Sequence, residues 1–584
     1  MEIKSYIILG LNFGHDAGAA IIKDGAILAD VSEERFNRVK HSGDYPLKSI
    51  EYCLQVAGLT IDQVDEIALA GRTDNNSFEV IFGQALTYPE PLNQTKDWHY
   101  YFYHWRLSIS DFLLRKHKTP RPSRWAPTYC RQFFLKELPK ITFVDHHLAH
   151  AASAYFTAAD NRKMIIATVD GQGDGCSSCI WLGENGRLKP LIKYGQDSSI
   201  GWFYSNVTEA IGWWHGDGEG KTMGLAPYGD ANKCAGALDG FYPRFQDGAL
   251  VEPHNFGDYF VYKLKGASHW HSDEVASIVK LVEKFGKENM AALAQQILEE
   301  QVMAFVLPWL AKENTKILAT AGGTFLNVKL NQRIWMSGQV DTFYPYPNPG
   351  DSGIALGAAI YAASEQGLLQ DQSNYNLYSG PEFSNEEIEK ILKIRGLAYR
   401  RAEQPYLEAA KYLAADKIIA WFQGRMETGP RALGNRSILM SPKKSENKDI
   451  INSRVKFREA FRPFCPSLAI EAIDRYLLKP RLEKFMVSSF DCPPSSATDI
   501  PAVVHVDGTL RPQVVSKEDN YRYWQLITEF GRLTGTPLLL NTSFNVLGEP
   551  IVCTPADAIR CFFDSGIDVL FLGDFIVEKV TTSV

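Results

Sequence analysis

The chain has 584 residues and a formal net charge of −7, with 45% hydrophobic and 22% charged residues. This length exceeds what one hydrophobic core supports, so we expect two or more domains in a globular protein. The acidic balance excludes a broad basic surface for nucleic acid or anionic membrane. No segment reaches the roughly 18 apolar residues of a membrane span, and the first residues lack a signal-peptide pattern. We therefore expect a cytoplasmic protein with neither nucleic acid nor membrane as a partner.

Two stretches of the sequence share one plan, in which a strand, a loop rich in Gly and Asp, a strand, a tight turn and a strand follow each other. The loops are residues 12–18 and 170–175, and the turns are Asp24-Gly25 and Asn185-Gly186. Glycines in such loops let backbone N–H groups converge on a phosphate, and an acidic residue there can hold a metal or a ribose. The duplication predicts two facing loops that form a ligand cleft.

A third glycine-containing loop follows a short apolar run at residues 317–320. The run has the composition of a buried strand and leads into a glycine pair and a helical pattern. A strand that opens into glycines and a helix suits the approach of a nucleotide. The candidate nucleotide contacts in this loop are Gly322, Gly323 and Asn327.

A polar stretch rich in Gln, Asn, Ser, Gly and Pro divides the chain. Residues 366–385 have this linker composition, and the alternation of strands and helices predicts an α/β domain over 1–365 and a second one over 386–584. Residues 73–135 stand apart as an aromatic insertion that includes Trp98–Trp105. The insertion forms a packed helical subdomain, or it binds an acceptor or a second subunit, since aromatic clusters serve cores and interfaces alike.

A candidate metal site begins at the predicted strand over residues 141–144. His146 and His150 follow it on a helix of small residues, one turn apart on the same face, which is a spacing found in metal ligands. Candidate oxygen ligands are Asp170, after the second repeat strand, and Asp351, in a Gly-Asp-Ser-Gly turn. Two imidazoles with carboxylates suit Fe(II), Mn(II) or Zn(II), and the sequence does not choose among them. A structural role is the alternative for the histidine pair.

A local excess of positive charge stands out against the acidic chain. Residues 425–462 contain ten Lys or Arg and four Asp or Glu. Guanidinium groups bind phosphate and carboxylate oxygens bidentately and stay charged, so the interleaved Gly, Pro and Phe favour a site for a polyanionic small molecule over a solvated basic face. The cations of this segment that we expect in the anion site are Arg425, Arg431, Arg436, Lys456, Arg458 and Arg462.

Polar side chains follow a predicted apolar strand at residues 537–540. Asn541 and Ser543 come directly after it, and a capping box with Pro at the first helical position begins at Thr554. Polar residues at a strand end contact a ligand or form a turn with local hydrogen bonds, and the sequence leaves both readings open.

Together these separated motifs resemble the NodU/CmcH/TobZ-type O-carbamoyltransferase family along the whole chain. The matching segments are 12–20 with His15, 33–36 with Lys40, 145–150, 221–229, 321–323, 350–351, 424–437, 456–466 and 541–548. In that family the N-terminal domain is similar to TsaD, with a duplicated ASKHA (actin/hexokinase-like) fold, and the C-terminal α/β domain is similar to YrdC. The resemblance implies the same two domains here.

The resemblance also implies a reaction that uses carbamoyl phosphate and ATP with Mg²⁺. Carbamate attacks the α-phosphate and gives carbamoyladenylate and pyrophosphate, and the carbamoyl group then passes to a hydroxyl of a small natural-product acceptor. The family pattern assigns the phosphates to Arg431, Arg436, Lys456 and Arg462, with Arg431 and Lys456 as catalytic groups, and the nucleotide to Arg511, Asn541 and Ser543.

For the transfer step the resemblance implies Fe(II) or a similar divalent ion. The pattern assigns this ion to His146, His150, Asp170 and Asp351. It makes His15 the base for the acceptor hydroxyl and gives Lys40 the task of steadying negative charge.

Two other functions use related parts. A TsaD-like tRNA threonylcarbamoyl transferase would share the histidine pair, but the acidic charge opposes tRNA binding. A non-catalytic nucleotide-sensing ASKHA protein would need neither the cation cluster nor an acceptor base. The acceptor, the metal and the oligomeric state stay open, with a homodimer among the alternatives.

Overall fold

The computed structural model describes residues 5–43, 45–71, 139–257, 259–264, 267–372 and 375–579. The predicted aromatic insertion at 73–135 lies outside the described residues. The chain divides into two compact units, of which the first comprises Met1–Leu326 and Ile334–Tyr375 and the second Asn327–Arg333 and Asn376–Val584. None of the helices in the described residues combines the length and the apolar character that crossing a membrane requires.

The first unit contains two five-stranded sheets and two short hairpins. Its strands are β1 (Ile7–Asn12), β2 (Gly18–Lys23), β3 (Ala26–Ser32), β4 (Glu66–Ala70), β5 (Lys140–Val144), β6 (Met164–Gly173), β7 (Cys176–Glu184), β8 (Arg187–Gly195), β9 (Arg244–Gln246), β10 (Ala249–Glu252), β11 (Tyr259–Leu264), β12 (Ala267–Ser272), β13 (Ile317–Ala321) and β14 (Thr342–Pro345).

Ten helices are described in the chain up to residue 375. They are α1 (Glu34–Asn37), α2 (Leu47–Ala57), α3 (His146–Thr157), α4 (Ile200–Ile211), α5 (Glu219–Leu225), α6 (Val275–Phe285), α7 (Lys287–Val306), α8 (Pro308–Lys312), α9 (Val328–Met336) and α10 (Ile354–Glu365).

The two large sheets have the same topology. Their strand orders are β3-β2-β1-β4-β5 and β8-β7-β6-β13-β14, and in each sheet the first three strands are antiparallel and the last two are parallel to the central strand. Asp24-Gly25 and Asn185-Gly186 make the corresponding hairpin turns, and all four residues have positive φ, as a primed turn requires. This topology confirms the internal repeat predicted from the sequence.

Helices α3 and α10 form the layer between the two large sheets of the first unit. Helix α10 packs on β1, β2 and β4, and it also packs along α3, which covers β6 and β13. A Cβ atom at Gly357 on α10 would lie 2.0 Å from the main-chain oxygen of Ala149 on α3. Because such a separation is sterically impossible, only glycine allows the two helix backbones to approach this closely.

The second unit contains one mixed eight-stranded sheet and one separate two-stranded hairpin. Its strands are β15 (Arg400–Arg401), β16 (Ile419–Phe422), β17 (Arg436–Met440), β18 (Cys465–Ala469), β19 (Phe490–Asp491), β20 (Thr509–Leu510), β21 (Gln513–Val515), β22 (Leu538–Ser543), β23 (Val569–Leu572) and β24 (Phe575–Glu578).

The second unit also contains helices. They are α11 (Asn385–Ile394), α12 (Pro405–Ala414), α13 (Glu446–Ile451), α14 (Ile473–Tyr476), α15 (Pro494–Ala497), α16 (Tyr521–Thr534) and α17 (Pro555–Phe563).

The large sheet of the second unit has the strand order β15-β24-β23-β16-β17-β22-β18-β21, and β19 pairs with β20 in a separate hairpin. Helices α12 and α16 pack against each other, and with the large sheet they enclose a core that includes Trp421, Tyr523 and Phe571. Thr554 forms the predicted capping box with Asp557 at the start of α17.

The close contact at Gly357 makes a testable prediction. We expect Gly357→Val to lower the free energy of unfolding by more than about 2 kcal/mol, because the added side chain forces α3 and α10 apart. The matched control is Gly220→Ala on α5, where a Cβ atom meets no atom within 4 Å. Chemical denaturation followed by circular dichroism measures both, and equal stability of the two variants would contradict the role of Gly357.

Candidate functional site

The four predicted metal ligands meet at one point of the first unit. Asp145 caps α3 by accepting a hydrogen bond from the backbone N–H of Leu148, and the helix then presents His146 and His150 on one face. The Nε2 atoms of these histidines lie 3.1 Å apart. One ligand atom from each histidine and from Asp170 and Asp351 lies within 4.8 Å of the other three.

The distances between these atoms fit a single shared ion. The Oδ2 atom of Asp170 lies 3.0 Å from His150 Nε2 and 3.5 Å from His146 Nε2, and Asp351 Oδ1 lies 3.5 Å from both. Ligands at about 2.0–2.2 Å from a tetrahedral or octahedral ion are separated by about 3.0–3.5 Å. The two imidazoles and two carboxylates could therefore hold a divalent transition metal, and their role as its ligands stays a prediction.

The carboxylates around the histidine pair carry negative charge that a bound cation would balance. Burial by itself lowers the pKa of His146, but the carboxylates of Asp351 and Asp170 raise it to about 10. In contrast, burial together with His146 and His150 lowers the pKa of His147 to about 3. His147 forms hydrogen bonds with Thr168 Oγ1 at 2.9 Å and with a main-chain oxygen at 3.1 Å. These contacts fix the neutral ring next to the histidine pair.

Glycines and an aspartate of the second repeat loop set the position of the cluster. The backbone N–H of His146 donates to Asp174 Oδ2 at 2.8 Å. A Cβ atom at Gly173 would lie 2.1 Å from the ring of His146, so this site is open only to glycine. The predicted nucleotide glycines Gly322 and Gly323 also lie here, since a Cβ atom at Gly323 would be 3.0 Å from an oxygen of Asp170.

The predicted transfer residues His15 and Lys40 belong to one charged network, which we define as the His41 network: His15, Asp16, Lys40, His41 and Asp217. Asp16 contacts the Nδ1 atoms of His15 at 3.1 Å and of His41 at 2.8 Å. His41 Nε2 lies 3.1 Å from Asp217, which also pairs with Lys40. The two imidazole rings are stacked, with centroids 5.2 Å apart.

The His41 network is tied to the candidate metal cluster. The side-chain amide of Asn12 donates to the main-chain oxygens of His15 at 3.1 Å and of Asp351 at 3.1 Å. Burial lowers the pKa of His15, but the carboxylate of Asp16 overcomes this effect and raises it. Asp16 contacts Nδ1 of His15, so Nε2 is the ring nitrogen that Asp16 does not contact. Catalytic histidines are oriented in the same way, by a carboxylate at one ring nitrogen.

The sequence analysis missed Asp16, His41 and Asp217. Each had a local signal, because Asp16 and His41 directly follow His15 and Lys40, and Asp217 lies between two glycines. The signal was too short to assign a partner, since His41 and Asp217 are 176 positions apart and meet only in the folded chain.

In the second unit, the loop over residues 424–436 is organised around one buried carboxylate. Glu427 Oε1 accepts hydrogen bonds from the backbone N–H groups of Leu433 at 2.8 Å, Asn435 at 2.8 Å and Arg436 at 3.1 Å. A single charged acceptor thus replaces the regular hydrogen bonds that this irregular segment lacks.

Two of the predicted anion-binding arginines hold this loop. The fully buried guanidinium of Arg436 donates to the main-chain oxygens of Gln423 at 2.7 Å and of Pro381 at 3.0 Å, and it stacks on Phe422 at 3.6 Å. Arg425 donates to the main-chain oxygen of Ser379 at 2.7 Å. These contacts are of the kind that shape a loop, and contact of either residue with a substrate stays a prediction.

Lys456 ends a π-helical turn over Asn452–Lys456, a rare element that is frequent at functional sites. Its buried ammonium donates to the main-chain oxygen of Ser543 at 2.5 Å and to Asn545 Oδ1 at 2.7 Å. Burial and the charge of Arg458 hold the pKa of Lys456 well below its usual range. These oxygen partners are neutral, so an anion beside Lys456 would be strongly favoured.

The remaining cations act on one another across a small region near Lys456. Burial and the charges of Arg511 and Arg462 lower the pKa of Arg431 to about 9, and burial and Arg462 lower that of Arg458 to about 9. A guanidinium keeps its proton in proteins, so these shifts express a shortage of negative charge. Within the described ranges, Arg431 makes neither a hydrogen bond nor an ion pair, and its Nε is buried. We call Arg431, Lys456, Arg458, Arg462 and Arg511 the cation cluster.

The remaining predicted nucleotide contacts lie in both units. Asn541 is buried and donates to the main-chain oxygen of Ala432 at 3.1 Å, so it joins β22 to the loop that bears Arg431. The hydroxyl of Ser543 donates to Asn545 Oδ1 at 2.7 Å. Asn327 accepts a hydrogen bond from the backbone N–H of Leu330 at 3.0 Å at the start of α9. Gly322 and Gly323 fall in the first unit and Asn327 in the second.

Comparison with protein families gives these sites a common context. Residues 7–360 match the family profile of the Carbamoyltransferase N-terminus, and residues 410–579 match that of the Carbamoyltransferase C-terminus. The chain belongs to the carbamoyltransferase family, and its enzyme class is therefore that of a transferase. This match confirms the resemblance found in the sequence.

Similar proteins occur in bacteria and archaea. Nodulation protein NolNO of Sinorhizobium fredii is 34% identical, over 98% of this chain and 80% of that protein. An uncharacterized protein of Synechocystis is 32% identical, over 98% of this chain and 96% of that protein. An uncharacterized protein of Methanocaldococcus jannaschii is 33% identical, over 98% of this chain and 99% of that protein.

The four-residue cluster predicts that a divalent ion binds at this site. We expect His150→Ala to weaken Zn(II) binding at least about 100-fold, because a ligand is lost and the carboxylates keep no second imidazole beside them. The control is His254→Ala, which removes a histidine of the same unit that is paired with Glu274. Titration calorimetry against a competing chelator measures the affinity, and unchanged binding by His150→Ala would remove the basis for this site.

The His41 network predicts a pH-dependent stability. Burial and the charge of Lys40 lower the pKa of His41. The carboxylates of Asp16 and Asp217 outweigh both effects and raise this pKa to about 10. A raised pKa adds stability that is fully present below the unfolded value of about 6.5 and is lost as the pH rises through about 10. We therefore expect His41→Gln to lower the thermal midpoint by about 2–4 °C at pH 6 and by less at pH 10.

Differential scanning fluorimetry across this pH range measures the effect of His41→Gln. The control is Arg162→Gln, which breaks an exposed pair with Asp160 and should change the midpoint little at any of these pH values. A loss that is equal at pH 6 and pH 10 would show that His41 is not protonated between its two carboxylates.

Proposed function

We propose that this chain is an ATP-dependent O-carbamoyltransferase that works in two steps, one in each unit. The observation that carries the proposal is that one polypeptide of the carbamoyltransferase family contains a cation cluster in which Arg431 has no anionic partner among the described residues and, in its other unit, a His₂Asp₂ cluster beside an Asp-oriented histidine. The duplicated sheets support an ASKHA-type first domain over 1–365, and we assign a YrdC-like second domain to 386–584, with 366–385 as the linker.

The first step makes an activated carbamoyl group. Carbamoyl phosphate is hydrolysed to carbamate and phosphate, and a carbamate oxygen attacks the α-phosphate of ATP while pyrophosphate leaves. The charge that develops on the separating phosphates requires fixed cations nearby. Arg431 and Lys456 suit this task, because Arg431 has no anionic partner in the described parts of the chain and Lys456 is buried against neutral oxygens.

The products of this step are carbamoyladenylate and pyrophosphate. Arg458, Arg462 and Arg511 would neutralise the remaining phosphate charge. Arg436 and Glu427 support them indirectly, because they fix the loop from which Arg431 projects.

The second step transfers the carbamoyl group to the acceptor. His146, His150, Asp170 and Asp351 would hold Fe(II) or a similar divalent ion, and the chemistry that such an ion supplies when bound is Lewis-acid polarisation of the carbamoyl oxygen. His15 would take the proton of the attacking hydroxyl at the ring nitrogen that Asp16 does not engage. The new C–O bond forms as the bond to AMP breaks, and Lys40 lies in the same network to steady negative charge.

The acceptor is a small natural product with a hydroxyl group, and the reaction involves neither nucleic acid nor membrane. The half-buried state of the His41 network supports a small acceptor, since its side chains are between 18% and 42% exposed. Tuning of His15 by Asp16 supports base catalysis at the hydroxyl.

Formation of pyrophosphate without any acceptor tests the first step. We expect the wild type to release pyrophosphate when mixed with carbamoyl phosphate, ATP and Mg²⁺, and Arg431→Ala to do so at least about 100-fold more slowly, because a cation at the transferring phosphate is lost. A coupled pyrophosphate assay and mass spectrometry of the adenylate measure this reaction.

The matched control for Arg431→Ala is Arg532→Ala in the same unit, where an exposed arginine pairs with Glu529. Its rate should equal that of the wild type. Release of ADP without carbamoyl phosphate would instead identify an ATPase and would overturn the proposal.

A further inference from the structure

Phe457 has a backbone conformation that its residue type does not favour. It follows the π-helical turn with φ 46° and ψ 44°, and its backbone N–H donates to the main-chain oxygen of Asn452 at 2.6 Å. Gly or Asn usually takes this left-handed position at the end of a helix, because a bulky side chain is strained there. Strained backbone conformations of this kind cluster at functional sites.

Packing does not account for a phenylalanine at this position. The side chain of Phe457 is 58% exposed. Its ring stacks on no aromatic ring or cation in the part of the chain that the structure describes. The residue therefore combines an unfavourable backbone with an apolar ring that contributes little to the core.

The surroundings of Phe457 are those of the cation cluster. Lys456 precedes it and Arg458 follows it, and Lys456 is buried while Phe457 faces solvent. Lys456 also contacts Asn545, whose main-chain oxygen is 3.0 Å from the ammonium. Two positions beyond Asn545, Leu547 is 62% exposed. Lys456 and Asn545 are thus in contact, and each has an exposed apolar residue close to it along the chain. These residues are Phe457 and Leu547.

We propose that Phe457 is the stacking site for the purine base of ATP. This inference rests on the proposed function, in which the cation cluster binds the triphosphate of the same molecule. A base presents a flat, weakly hydrated face that stacks on an aromatic ring, and exposed aromatic residues beside cations are a common arrangement for nucleotide binding. The strained backbone at Phe457 directs the ring to solvent while Lys456 stays buried.

The inference separates the binding of the base from that of the phosphates. Full-length protein is titrated with ATP and, separately, with inorganic tripolyphosphate, both with Mg²⁺, in a calorimeter. We expect Phe457→Ala to raise the Kd of ATP at least about fivefold and to leave the Kd of tripolyphosphate unchanged. Phe457→Tyr should restore ATP binding because it keeps the ring.

A matched control and a stability measurement complete the experiment. Phe563→Ala removes another exposed phenylalanine of the same unit, 45% exposed on α17, and should change neither affinity. Phe457→Gly should weaken ATP binding as the alanine variant does, with a thermal midpoint no lower than that of the wild type, because glycine relieves the strain.

The outcomes distinguish this inference from the proposed function. Equal binding of ATP and tripolyphosphate by the wild type, or an equal loss of both in Phe457→Ala, would overturn the base site and leave the phosphate site in place. A thermal midpoint of Phe457→Gly more than about 2 °C below that of the wild type would assign Phe457 to packing instead. Wild-type protein that binds neither ligand would overturn the proposed function itself.

Discussion

The close approach of α3 and α10 at Gly357 is the constraint on which the first unit depends. Helix α3 carries His146 and His150, and α10 begins directly after the turn that carries Asp351. The contact between Gly357 and the main chain of Ala149 therefore sets the distance between the two imidazoles and that carboxylate. A longer side chain at this helix crossing would separate the ligands by more than a metal–ligand polyhedron tolerates. The packing of these two helices therefore determines the geometry of the site.

The second unit solves a different problem, because it must keep several cations close together without an anion. The loop beside these cations is fixed from within, because Arg436 donates hydrogen bonds to main-chain oxygens and Glu427 accepts backbone N–H groups of the same loop. Arg431 has no anionic partner among the described residues, and burial strengthens the effect of its charge. A fixed array of this kind stabilises an anion without rearranging, which is the main electrostatic advantage of a folded site over water.

Both candidate sites depend on residues that orient the chemical groups without meeting the substrate. Asp16 contacts two stacked histidines, and His147 is held neutral behind the histidine pair. These supporting residues decide which nitrogen carries a proton, and so they decide which nitrogen remains for a metal or for a hydroxyl proton. The family match gives the chain its reaction class.

The sequence by itself determined the repeated strands, the histidine pair and the basic segment, because strand alternation, turn residues and helical spacing are local properties. It also supplied the family through motifs that keep their order along the chain. Only the tertiary structure brought Asp170 and Asp351 to the histidines and Asp217 to His41, since sheet and helix packing sets contacts between distant segments. It also separated Arg436, buried among carbonyls, from Arg431, for which the described residues supply no such partners, because burial follows from the whole fold and not from the residue type.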